Sequence, residues 1–348
     1  AEATGVVIEG LTIQTGYAPY KQAAPYSYGG GVLDQSKCCW VIDCTITGGR
    51  SVGGASDGDA GYAGGVYGAN YDKTVFANCI ISNNAWGAQV CGYAAFVNCR
   101  IEDNRVSTAG ILRNSAVYGS LLARNVAKQN PMLYCLTFEN STFAADNVNI
   151  AGESYSNRLA FTQGAAERTI VNSIVFGRVE KLTRVTNCVF PTGALPDDIS
   201  SKVNTLEVAP DEMLLTDDYR PALGRCVAVD AGDMSLVDTE LCGTNDLAGI
   251  QRVMNGRMDC GCYEADWRPR YGKDLGPKAT VESVTPGVRE TDAKTVGLRG
   301  GDALTLTLPA AGEQEKTYEV AFKVTGTGTL TVSRDGGASE TYAASADV

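Results

Sequence analysis

The chain contains no histidine. That removes the Ser–His and Cys–His nucleophile pairs and most zinc hydrolases, whose chemistry runs through an imidazole. No apolar run approaches the roughly 18 residues that a membrane-crossing helix needs. Positive charge is scarce: 29 Lys and Arg stand against 40 Asp and Glu, for a net charge of −11. A chain so balanced is a poor partner for nucleic acid or for an anionic membrane surface. Helical periodicity is missing too, and Gly, Asn and β-branched residues dominate instead. No paired Cys-x-x-Cys occurs. Cys260 and Cys262 flank Gly261 in a spacing poor for zinc, and without histidine a zinc site would need four thiolates or carboxylates. The chain opens AEATGVVIEG, with no Met and no signal peptide, already inside a repeat, and is expected to lack its first turns.

What the chain has is a recurring phrase: two apolar residues, Asn or Asp, Cys or Ser, then apolar–any–apolar. It reads VIDCTIT at Cys44, FANCIISNN at Cys79, FVNCRIEDN at Cys99, VYGSLLARN at Ser120, FENSTF at Ser141, IVNSIVF at Ser173 and VTNCVF at Cys188. VIEGLTI is taken as the same phrase with Gly10 in the Cys place. The spacings are then 34, 35, 20, 21, 21, 32 and 15 residues, which sets a coil of roughly 20–21. In FANCIIS, strand alternation is expected to put Phe76, Asn78, Ile80 and Ser82 on one face and Ala77, Cys79 and Ile81 on the other. A second phrase precedes each repeat, at Val32, Val66, Val90, Ile111 and Leu133. Two strands recurring at nearly fixed separation, with no helix between them, predict an all-β solenoid, a parallel β-helix.

Twelve cysteines would suggest disulfides in a small secreted chain. Here Cys and Ser exchange freely at one repeat position, which a disulfide partner could not do. The expectation is an inward ladder of free thiols acting as small hydrophobes. The phrase asparagines (Asn78, Asn98, Asn140, Asn172, Asn187) are expected in turns, with amides bonded along the axis.

Two insertions, residues 17–30 and 48–65, follow the same strand phrase and should project from one side. They carry Tyr17, Tyr20, Tyr26, Tyr28 and Tyr62 with Asp57 and Asp59, and Tyr67, Tyr71, Trp86 and Tyr93 lie on nearby coils. Tyrosine and tryptophan faces stack on sugars at low entropy cost, so these residues form the candidate ligand-binding platform. The alternative is that they pack the loops against the wall. Asp57 and Asp59 could ligate Ca²⁺ with further oxygens from elsewhere, and a solvated turn is the default. No other cofactor is expected.

Catalysis would need carboxylates about 5–9.5 Å apart across a sugar. Asp57 with Asp59 and Glu102 with Asp103 are the available pairs, the latter expected to point apart along a strand. A lyase would need a basic group with a cation. Arg100, Arg105, Arg113 and Arg124 lie on successive coils but share no register. No catalytic residue is assigned.

The coils resemble the right-handed β-helix repeats of the pectin-lyase-like superfamily. CVAVDAGD (226–233) and NDLAGIQRVMNGRMDCGCYEAD (245–266) resemble the closing segment of bacterial surface β-helix proteins, through Asp230, Gly232, Asp246, Leu247, Gly249, Arg252, Asp259, Gly261, Tyr263 and Glu264. Cys260 and Cys262 depart from that pattern, which has aliphatic or small residues there. The resemblance implies an exported, surface-located protein, either adhesin-like or active on polysaccharides. The closing segment is expected to act as a structural cap over the last coil, with Arg252 bridging Asp230, Asp246 or Asp259 and Glu264 completing the cap. Three readings remain: a non-catalytic protein binding carbohydrate or another surface ligand, a polysaccharide hydrolase or lyase, and a structural stalk. The expected layout is a β-helix over 1–266 with its cap at 219–266, a linker at 267–280, and a small antiparallel, sandwich-like β module at 281–348.

Overall fold

In the computed structural model the chain divides into two compact units, Ala1–Asp266 and Trp267–Val348. The structure describes residues 5–18, 31–34, 38–51, 63–68, 73–85, 89–106, 110–127, 133–149, 158–161, 168–253 and 258–265 of the first. In the second it describes 280–284, 289–292, 295–297, 304–307, 329–333 and 339–343. The expected linker thus lies outside the described residues except for Thr280, which opens a strand instead. The second unit contains three antiparallel pairs: Thr280–Val284 with Leu304–Thr307, Arg289–Asp292 with Thr295–Gly297, and Thr329–Ser333 with Ser339–Ala343.

The first unit is a right-handed parallel β-helix. Its two long sheets have fourteen and nine strands, and every pairing between coils is parallel and runs to the next coil. Three rows of apolar side chains point inward and stack coil on coil. Val41, Phe76, Phe96, Val117, Phe138 and Ile170 form the first. The Phe76 and Phe96 rings stack with centroids 5.5 Å apart. Ile46, Ile81, Ile101, Leu122 and Phe143 form the second. Val32, Val66, Cys91, Leu112 and Leu133 form the third. The last row corrects the second sequence phrase by one residue at two coils: Cys91 and Leu112, not Val90 and Ile111, stack with Val66 and Leu133.

The repeat phrase is a corner, not one strand. Thr74–Ala77 and Ile80–Ser82 belong to different sheets, and Asn78 between them has φ +54°. A left-handed residue breaks the two-residue alternation. Phe76, Cys79 and Ile81 therefore all point inward, while Asn78 and Ile80 are exposed, against the expected division of FANCIIS. The same left-handed corner recurs at Gly10, Asp43, Asn98, Gly119, Asn140, Asn172, Asn187 and Asn204. Asn, Asp and Gly tolerate this conformation with little cost, which explains their place in the phrase. Gly10 is thereby moved. It occupies the Asn place, because Thr12 pairs with Thr45, and Leu11 stands in the Cys place.

All twelve cysteines are free. Cys44, Cys79, Cys99, Ser120, Ser141, Ser173 and Cys188 form one buried inward ladder. Cys99 Sγ donates to the Phe76 and Val97 carbonyls at 3.2 and 3.3 Å. Ser120 Oγ donates to the equivalent Phe96 and Tyr118 carbonyls at 3.4 and 2.8 Å and accepts from the Cys99 N–H at 2.9 Å. Cys and Ser exchange there because either can donate to the same carbonyls. A second interior ladder is made of Asn84, Asn104, Asn125 and Asn147, all buried, with amides bonded coil to coil at 3.0 Å.

Candidate functional site

The two insertions leave the coils side by side, since Tyr17–Ala18 pairs with Arg50–Ser51. They also return side by side, with Gly31 N–H bonded to the Gly65 carbonyl at 2.8 Å and Val32 paired with Val66. Tyr17 lies in the first of those root strands. Tyr20, Tyr26, Tyr28, Asp57, Asp59 and Tyr62 fall outside the described residues, as do Tyr71 and Trp86.

Where the second insertion returns, the strand Ala63–Tyr67 places Val66 in the core and Tyr67 on the outer face. Gly92 is the register partner of Tyr67 on the next coil and carries no side chain. The Tyr67 ring reaches past it to Tyr93, with centroids 5.2 Å apart and planes tilted by 42°. Gly92 is in turn paired with Arg113, which is exposed. Two half-buried aromatic faces and a guanidinium thus share one outer surface beside the insertion roots.

Glu102 and Asp103 do not point apart. Asp103 has φ +57°, so the chain turns between them. Arg124 Nη2 meets Glu102 Oε2 at 2.9 Å, and Arg124 Nε meets Asp103 Oδ1 at 2.8 Å. Hydrogen bonding to Arg124 holds the Asp103 carboxyl below its usual range. Arg100 adds a bond to Glu102 at 3.1 Å, and Tyr219 links Arg124 to Asp146. These carboxylates are saturated by arginine and poorly suited to proton transfer on a substrate. Arg105 and Arg113 take no part in the cluster, so the four arginines form no stripe.

The closing segment is not an end cap. Residues 227–253 and 258–265 belong to a strap that runs back along the outer wall. Val237, Cys242 and Met258 cover Val75, Ala95, Val97 and Ala116. Cys226, Ala228 and Cys260 cover Ile174 and Val189, and Cys262 and Tyr263 cover Leu121, Ala123 and Ala144. Cys260 and Cys262 thus serve as small buried hydrophobes. On the final coil Val203 and Leu206 stay 45% and 43% exposed. The physical reason is the apolar outer wall of the middle coils, a larger burden than the edges of one short coil.

The strap is held by the corner row. Asn172 Nδ2 donates to the Asp233 carbonyl at 2.8 Å, and the Asp233 N–H donates to Asn172 Oδ1 at 3.0 Å. Asn98 Nδ2 donates to the Cys242 carbonyl at 3.0 Å. Gly119, between them, has no side chain, and Arg252 enters its place. A Cβ at 119 would collide with Asn98 Oδ1 and lie 3.3 Å from Arg252 Nη2. Arg252 is fully buried. Its nearest carboxylate is Glu264, at 3.9 Å, rather than any of the three aspartates, and its Nη1 donates to the Gly261 carbonyl at 3.1 Å.

The carboxylates of the strap serve its own backbone. Asp246 accepts from the N–H groups of Ala248, Ile250 and Glu264 at 2.8–2.9 Å. Asp259 accepts from Asp230 and Ala265 at 2.6 Å. Arg220 approaches Asp246 at 3.6 Å and lies over the Tyr263 ring. The phrase pattern gave no warning of Arg220. Burial, then the neighbouring charges, pushes Asp259 up to about 7 and Glu264 up to about 9. Among the described residues no group of three or more Cys, Asp or Glu is disposed to hold a metal ion.

At Asn98 the strap turns away through Gly243, at φ +71°. Beyond it a groove of about 640 Å³ opens between residues 242–249 and the corner residues Asp43, Asn78 and Asn98, with Ile80 and Arg100 on its floor. Comparison of the chain with protein-family models, with curated proteins and with solved structures finds no match in any of the three.

Proposed function

We propose that this is an exported, surface-located β-helix protein of the pectin-lyase-like kind, and that it binds carbohydrate without transforming it. The observation that carries the reading is the Tyr67–Tyr93 pair with Arg113, on the outer face where the tyrosine-rich insertion returns to the wall. Half-exposed aromatic faces take up the apolar side of a pyranose, and a nearby guanidinium donates to its hydroxyls. Tyr17, Tyr20, Tyr26, Tyr28 and Tyr62 would extend that surface.

The absence of turnover is supported by the state of four described carboxylates. Glu102 and Asp103 share one arginine, and Asp246 and Asp259 are consumed by backbone N–H groups. A glycoside hydrolase needs one carboxyl free to give a proton and one free to attack or to activate water. A glycan array, run with and without Ca²⁺ and with product analysis on every hit, tests both halves. Binding that is lost in Tyr67→Ala and Arg113→Ala, with no products released, supports the reading. Turnover of any polysaccharide, or binding indifferent to both changes, overturns it.

A further inference from the structure

The corner row holds more than one kind of occupant along its length. At Asn172 it holds the N–H and C=O of a single strap residue with one amide. At Asn98 it holds a strap carbonyl. Asn78 and Asp43 continue the same row, one and two coils further on, with the same left-handed backbone. Among the described residues no strap residue hydrogen-bonds to either side chain, and both are exposed at the groove. Ile80 adds an apolar floor, 36% exposed, where the covered outer row of Leu121, Ile174 and Val189 emerges from under the strap.

We propose that this groove docks a short segment of another polypeptide, and that Asn78 takes its backbone as Asn172 takes that of Asp233. The primary amide of asparagine offers one donor and one acceptor side by side, matching the N–H and C=O of one residue of an open chain. Asp43 replaces the amide by a carboxylate on the neighbouring coil, so the segment carries a Lys or Arg there. The net charge of −11 draws such a basic segment in from a distance. This site is separate from the Tyr67–Tyr93 surface and does not depend on it.

The test uses the full chain and a displayed library of random twelve-residue peptides. Enriched peptides are resynthesised and titrated by calorimetry against the parent, Asn78→Gly and Asp43→Asn. Glycine keeps the left-handed corner while removing the amide, so the fold is expected to persist, and a thermal melt checks it. The expected result is enrichment of sequences containing Lys or Arg. Affinity should drop roughly tenfold in Asn78→Gly, and the preference for basic residues should vanish in Asp43→Asn. The proposal is overturned if no peptide is enriched over a display without insert, or if both variants bind the peptides as the parent does. It is equally overturned if Asn78→Gly abolishes binding of a neutral oligosaccharide and of no peptide. The glycan reading fails or stands on Tyr67 and Arg113, so the two outcomes remain distinct.

Discussion

Asn172 grips Asp233 with both ends of its amide, at 2.8 and 3.0 Å, across 61 residues of sequence. The bond pair ties the strap to the wall at a left-handed corner that glycine would also adopt. Asn172→Gly is therefore expected to loosen the strap, at about 2 kcal/mol for its two strap bonds, while also removing the amide's bonds to Asn140 Oδ1 and from Asn187 Nδ2 at 3.0 and 3.3 Å along the corner row. Hydrogen exchange reads this directly: amides of 231–236 should exchange faster while those of Ile170 and Val185 do not. Unchanged exchange in the strap would show that apolar packing alone holds it.

The Asn104 amide makes four interior bonds. Its Oδ1 accepts from the N–H and Nδ2 of Asn84 at 3.0 Å, and its Nδ2 donates to Ile81 O and Asn125 Oδ1 at 2.8 and 3.0 Å. Asn104→Ala removes these bonds and leaves the Asn84 N–H and the Ile81 carbonyl buried without them, while Asn125 Oδ1 and Asn84 Nδ2 keep one partner each, at a cost of about 3 kcal/mol. Denaturant melts should show a lowered midpoint, with Asn104→Asp worse because it buries a charge. A midpoint within error of the parent would mean that the ladder contributes little.

Glu264 and Asp259 make the strap sensitive to alkali. Burial raises Glu264 to about 9 and Asp259 to about 7, above the ordinary values of about 4.3 and 3.9. Desolvation is the largest cause; Asp246 adds to the rise by like-charge repulsion, while Arg252 opposes it at Glu264 and is outweighed. A raised folded value means that the native state holds protons which the unfolded chain has released. The stability contributed is complete below about pH 4 and is lost as pH rises through 7 and then 9. The urea midpoint should fall from pH 5 to pH 9 and fall less in Glu264→Gln. A parent midpoint that rises over that range would contradict the assignment.

The solenoid was legible because Cys44, Cys79 and Cys99 stand at one corner of each coil, and backbone stacking repeats whatever the side chain does. The corner itself was harder to see. A single φ > 0 at Asn78 shifts every later side chain by one face, and alternation counted through it misplaces Ile80. Gly10 was misread for the same reason, since glycine suits the left-handed place better than the inward one. The strap had a signal that alternation obscured. The outward residue after the ladder position is Thr45, Ile80 and Arg100 in early coils but Leu121, Thr142, Ile174 and Val189 later, a mainly apolar run that calls for a cover. Residues 19–30 and 52–62, which carry Tyr20, Tyr26, Tyr28 and Tyr62 and both loop aspartates, repeat no phrase, so nothing in their spacing fixes a conformation.

Cys99 is the sharpest test of the inward ladder. Its thiol is fully buried, and burial raises its pKa well above the usual range, so it is a weak hydrogen-bond donor and not a nucleophile. Cys99→Ser places a hydroxyl where Ser120, Ser141 and Ser173 already serve on later coils, each donating to the carbonyl two residues back at 2.6–2.8 Å. The change should cost no more than about 1 kcal/mol. Cys99→Asp instead buries a carboxylate among Phe76, Phe96 and Ile101, with no cation beside it, and should cost about 4 kcal/mol or more. Thermal melts of the two variants separate the cases. A Cys99→Asp protein that melts with the parent would mean that this side chain does not face the interior, and the coil register would have to be redrawn.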